Sequence, residues 1–321
     1  MDGGPRRPPT SMHKRTRRAG PAYPRHGRRS KRPRRRGRWH TGTVDTEPTP
    51  DRVVRRPLTH PEAVRAGRTW WDAEAEAYHA EHGEFLGDHE LTWGPEGWTE
   101  SELGLLGDLA GARVLEVGAG AGQGARWCAR RGARAVASDL SGSMLAVGAR
   151  LQADLPASHR PALVQCDGTS LPFADGSFDV VLTAHGVLPF VPDAGAALRE
   201  WARVLRPGGR CVFSLPHPVR WAFPDVPGPE GLRATHSYFD RRPYVEETAG
   251  GTATYSEHHR TLGDLVRAVV RAGLVLTDLL EPEWPEDADH VWGGWSATRG
   301  RLLPGTAILV CRRPRGPQET A

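Results

Sequence analysis

Between Ala112 and Pro216 the chain switches repeatedly from a short apolar run to a stretch with helical spacing, and this alternation constrains the fold more than any other feature. The apolar runs are ARVLEVG, RAVASDL, ALVQCD, FDVVLTA and GRCVFSLP; helical spacing fills Gln123 to Arg131, Gly142 to Leu151 and Ala194 to Leu205. Near-continuously apolar strands between amphipathic helices belong inside a parallel sheet with helices on both faces. Further on, TLGDLVRAVVRAGL reads as a helix capped by Thr261, VLTDLLEP as a strand, and GTAILVCRR as a last strand. The expected fold class is α/β, a Rossmann-like doubly wound sheet.

Upstream, TWWDAEAEAYHAEH has helical spacing at Trp71, Ala75 and Tyr78, with Thr69 as its N-cap, and SELGLLGDL reads as a second short helix. Residues 1–64 are rich in Arg, Pro, Gly and Thr, with hardly an aliphatic before Val44. Such a segment buries too little apolar area to offset the entropy of ordering. It is expected to be a disordered tail ahead of a single domain over residues 65–321. Residues 1–40 hold 15 of the 43 Lys and Arg and one acid, Asp2; taking that +14 from the whole chain's +5 leaves −9 for the rest. The run RRSKRPRRRGRW suits nucleic acid or an anionic surface. A charge run alone is weak evidence, and an idle, solvated extension is the favoured reading, with translation starting near Val44 as a third. Cys128, Cys166, Cys211 and Cys311 stand far apart in apolar segments, as buried thiols in a reducing compartment do. No run approaches the length of a membrane span and no secretory signal is visible, so the expected location is cytoplasmic.

VLEVGAGAGQGARW places glycines at 118, 120, 122 and 124 directly after an apolar strand and before a helix, where open α/β sheets bind nucleotides. The dinucleotide pattern G-x-G-x-x-G fails from Gly118, because position 123 is Gln, and passes from Gly120 only in the weaker form ending at Ala125. No G-K-[ST] follows, which excludes a Walker loop. Glu116, two residues before the first glycine, would repel a pyrophosphate at that helix N-terminus but favours a ligand carrying an ammonium and a sulfonium. Asp139 ends the second strand 19 residues beyond Gly120, where an acid accepts ribose hydroxyls. Asp167 and Gly168 end the third strand, where a carboxylate and the following N–H match the edge of an adenine.

Together VLEVGAGAG, SDLSGSML, CDGTSLPFADGSFDVVLTAHGVLPF and ALREWARVLRPGGRCVFS resemble the class I S-adenosylmethionine-dependent methyltransferases. They are most similar to the methyltransferase type 11 group, which includes ubiquinone/menaquinone C-methyltransferases, and the likeness covers about residues 112–214. The resemblance implies S-adenosyl-L-methionine as cofactor and a seven-stranded sheet whose last strand is antiparallel. It places Glu116, Gly118, Gly120 and Gly122 on the methionine and ribose side, with Ala119 where this group commonly has Cys. Asp139 and Leu140 would hold ribose and adenine, Met144 would cover the adenine, and Asp167 and Gly168 would read its edge. Ala184 would stand beside the sulfonium, and WWDAEAEAY resembles the family's lid helix, offering Tyr78, with Trp70 and Trp71, as aromatic faces for the sulfonium.

Transfer from a sulfonium needs alignment and exclusion of water, and a base only where the acceptor arrives protonated. His185, at the ligand edge of the sheet, is the candidate base or acceptor-positioning group. His217, Tyr255, His258 and His259 are further candidates, with no carboxylate or Cys at ligand spacing, so no metal is expected. His79 and His82, beside Glu81 and Glu84, are expected to face solvent. Residues 215–257 read as an insertion over the ligand edge, and Trp221, Phe223, Tyr238, Phe239, Trp284, Trp292 and Trp295 as an apolar cap over a small organic acceptor. Two other functions stay open: methylation of RNA or DNA anchored by the basic tail, and cofactor binding without catalysis. The oligomeric state is not readable.

Overall fold

The computed structural model describes residues 51–87 and 90–316. Strand β1 (Arg52–Arg55) leads into the long helix α1 (His60–Leu86) and, later, the single turn α2 (Glu100–Leu103). β2 (Arg113–Val117), α3 (Gln123–Arg130), β3 (Arg134–Asp139) and α4 (Gly142–Leu151) follow. β4 (Ala162–Gln165), β5 (Phe178–Thr183), α5 (Ala194–Val204) and β6 (Leu205–Pro216) complete the alternating half. The remainder holds β7 (Tyr244–Glu247), β8 (Ala253–Glu257), α6 (Leu262–Arg271), β9 (Val275–Leu280), the short α7 (Ala297–Gly300) and β10 (Thr306–Arg312).

Seven strands form one sheet in the order β4-β3-β2-β5-β6-β10-β9. Its neighbours are parallel except at β10, which lies between β6 and β9 and runs antiparallel to both. GTAILVCRR is therefore the reversed strand. One face of the sheet is sealed by Leu198 and Trp201 of α5 with Leu265 and Val269 of α6; the other packs on Trp93, Leu106, Trp127 and Cys128. Chain direction across the sheet reverses between β2 and β5, so the connections leaving their carboxyl ends part to opposite faces and open a crevice. Among the described residues no helix is long and apolar enough to cross a membrane.

The structure corrects two expectations. The folded part begins before residue 65: β1 pairs antiparallel with β7, Val54 opposite Val245, and α1 starts at His60. Thr59, not Thr69, is the N-cap, in a reciprocal capping box with Glu62 and with Pro61 in the first turn, where its missing N–H costs nothing. Residues 1–50 of the expected tail lie outside the described residues. The second correction concerns residues 215–257, which contribute β7 and β8 to a small antiparallel sheet ordered β1-β7-β8. Val245 and Ala253 of that sheet pack against Leu58, Ala63 and Ala66 at the start of α1. The insertion's two strands brace the start of α1, and of residues 215–257 only Pro216 lines the crevice.

Candidate active site

After β2 the backbone passes through Gly118, Gly120 and Gly122 at φ of +64°, +53° and +79°. Side chains seldom adopt this left-handed region, and a Cβ at Gly118 would stand 2.6 Å from the Val187 side chain. The loop is thus bare backbone by necessity. Two acids organise it. Glu116, only 4% exposed, accepts from the Ala125 N–H at 2.6 Å in the first turn of α3. Asp139 accepts from the N–H groups of Gly120 and Ser141, both at 2.8 Å. Burial pushes the Glu116 carboxyl up to about 7 and also raises that of Asp139. The buried Arg126 guanidinium donates to the Ala121 carbonyl and closes the loop from behind.

Beyond β4, one oxygen of Asp167 accepts from both the N–H and the hydroxyl of Thr169 at 2.9 Å. The other lies 2.8 Å from Nε2 of His60. The Trp201 indole donates to the Gly168 carbonyl at 3.0 Å and fixes the turn.

At the end of β5, His185 and Val187 have φ of +60° and +59°, the two non-glycine residues with positive φ among those described. Strain of this kind persists only where its surroundings over-determine it, and it gathers at functional sites. The His185 N–H donates to the Ser214 hydroxyl at 3.0 Å. Its ring lies nearly parallel to Trp292 (centroids 6.0 Å, 22°), and Trp292 stacks in turn on His82 (4.2 Å, 27°). Nε2 of His185 is buried and has no partner. Burial, helped by His82, lowers the imidazole to about 4, so it is neutral at pH 7.

These parts enclose a cavity of about 320 Å³, within the usual range of small-molecule sites. Glu116, Gly118, Ala119, Gly120, Asp139, Leu140, Met144, Asp167, Gly168, Ala184, His185 and Tyr78 all line it. Gly122 does not; it caps α3 behind the loop. Helix α1 crosses the opening with Trp71 and Tyr78 turned inward, while Trp70 packs on Tyr255 at 5.0 Å. His79 lines the cavity and His82 stacks on Trp292, so neither is the solvent-facing residue expected from its charged neighbours. Of the late aromatics only Trp292 reaches the cavity; His217 stands beside Glu281, and His259 donates to the Tyr238 carbonyl, both outside it.

Three contributors escaped the sequence: His60, Arg126 and the stacking role of Trp292. For His60 a signal existed, the T-x-x-E box starting at Thr59 that puts the next residue on a helix. Among the described residues no Arg or Lys lines the cavity, whereas Glu90, Glu116, Asp139 and Asp167 do. That lining suits a cationic, phosphate-free adenosine derivative and disfavours a pyrophosphate.

Residues 115–213 match the family described as a methyltransferase domain. A demethylmenaquinone methyltransferase of Mycolicibacterium paratuberculosis is 32% identical over 228 residues, which is 69% of this chain and 84% of that protein. An S-adenosylmethionine-dependent methyltransferase from Mesorhizobium loti is 27% identical with a TM-score of 0.52, covering 66% of this chain and 95% of that one. Geranyl diphosphate C-methyltransferase from Streptomyces coelicolor A3(2), solved with S-adenosyl-L-homocysteine, shares the fold at 15% identity and a TM-score of 0.54, over 80% of this chain and all of that one.

Proposed function

The chain belongs to the class I S-adenosylmethionine-dependent methyltransferases of the type 11 group and transfers a methyl group from that cofactor to a small organic acceptor; on this premise we propose how its residues divide the task. Asp167 and Gly168 hold the adenine edge, and Met144 and Leu140 its faces. Asp139 holds the ribose: each of its oxygens accepts one backbone N–H and keeps a further lone pair for a hydroxyl. Glu116 and the bare backbone of Gly118 to Gly120 hold the methionine end.

When bound, the cofactor supplies an activated sulfonium methyl, whose bond to sulfur breaks with the electron pair left on sulfur. Ala184 and His185 mark the end of the cavity where the acceptor sits, walled by Leu86, Leu91 and Trp292. His185 takes the proton that the acceptor loses as its new bond to carbon forms. The observation that carries this assignment is the buried, unpartnered Nε2 on a strained backbone. Burial keeps that imidazole unprotonated across neutral pH but also weakens it as a base, so its part is to receive a proton already leaving as the new bond forms. α1 and Trp292 exclude water that would compete for the methyl group.

With carboxylates and, among the described residues, no Arg or Lys around the cavity, the acceptor carries no phosphate or carboxylate at its reacting end. A demethylmenaquinone, the substrate named for the relatives, is the first to try. The test supplies methyl-labelled cofactor with that acceptor and with metabolite extracts, and identifies labelled products by mass. His185→Gln should lower transfer about 100-fold, the usual contribution of a general base, with S-adenosylhomocysteine binding preserved. Transfer undiminished in His185→Gln would remove His185 from the chemistry.

A further inference from the structure

We infer that His60 is a positioning residue for Asp167, so that the carboxylate is set to meet the adenine only while the lid helix is docked. This rests on the adenine role proposed for Asp167. The two bonds from Thr169 use up one carboxylate oxygen, about which the group can still pivot. His60 Nε2, 2.8 Å from the second oxygen, stops the pivot and leaves that oxygen one lone pair pointing in a defined direction. The imidazole also lies 3.4 Å from the Thr169 hydroxyl, so it sits over the whole turn.

The pair stands at the mouth of the cavity, His60 with 46% and Asp167 with 20% of its side chain exposed. Without the ring, water would reach the second oxygen and the lone pair would lose its fixed direction. His60 comes from the first turn of α1, 107 residues away in sequence, and that turn is held by the Thr59–Glu62 box and by the small sheet. Farther along, Asp72 accepts from the Ser141 hydroxyl at 2.6 Å and the Ser143 N–H at 3.1 Å, fastening α1 to the start of α4. Docking of the lid and setting of the adenine-reading carboxylate are therefore one event.

The test compares S-adenosylhomocysteine with S-inosylhomocysteine, in which a 6-oxo group replaces the 6-amino group, by calorimetric titration of the full chain. The wild type should prefer the amino compound. His60→Ala should cut that preference about tenfold, the loss of one hydrogen bond to a charged group, with little change for the 6-oxo compound. His60→Gln, which keeps an N–H donor of similar reach, should restore part of it. A His60→Ala protein that keeps the full preference overturns the inference. So does one that loses affinity for both compounds alike, which would mean that α1 had only loosened. A wild type that binds both equally faults the Asp167 assignment instead and removes the premise.

Discussion

At the scale of single residues, Glu116 both holds the first turn of α3 and lines the cavity. Its carboxyl is raised from 4.5 to about 7, chiefly by burial. Between those values the folded protein keeps a proton that an unfolded chain has released. Glu116 therefore supports the fold on the acid side and withdraws that support as pH climbs through 7, by about 3 kcal/mol if the whole shift is expressed. A cationic ligand relieves the burden by favouring the ionised form. S-adenosylhomocysteine binding near pH 6.5 should accordingly release a proton, seen as heats that differ between buffers of different ionisation enthalpy. Glu116→Gln should abolish that release, and equal heats in the wild type would place the ligand's ammonium elsewhere. Glu116, Asp139 and Asp167 were legible as cavity residues because each stands at or just beyond the carboxyl end of a strand, where local spacing fixes position. His60 and Trp292 were not, because each meets its partner across about a hundred residues or more, and no local pattern encodes such a meeting.

Among the elements, α1 is the most consequential. It is fastened by His60 at one end, by Asp72 in the middle and by the His82–Trp292 stack at the other. Asp72→Ala removes two hydrogen bonds to the start of α4 and should cost about 1–3 kcal/mol of local stability. Hydrogen exchange should then quicken along α1 while the seven-stranded sheet keeps its protection; unchanged exchange along α1 would contradict this. The sequence foretold α4 to the residue, because Ser141 caps it and its apolar spacing is clean. It missed the first ten residues of α1, whose capping box sits inside an Arg- and Pro-rich stretch that composition alone assigns to a tail. β1, β7 and β8, reading RVVR, YVEE and ATYSE, are too short and too charged to announce themselves. Long-range pairing makes them strands, as when the Arg52 side chain meets Glu247 across the register.

For the molecule as a whole, charge and architecture separate cleanly. The positive excess lies in residues 1–40, while the cavity and every element around it come from residues 51–316. Deleting residues 1–50 should leave S-adenosylhomocysteine affinity and transfer to a small acceptor unchanged; lost transfer would tie the basic segment to acceptor recognition. The late position of β10 in the chain, against its inner position in the sheet, also dictates an order of events during synthesis. A nascent polypeptide still held by the ribosome exposes the open margin of β6 until the segment near residue 312 has emerged, and the Trp292 wall arrives only shortly before it. The Trp292 wall of the cavity is thus completed last, after every residue proposed to hold the cofactor has already been made.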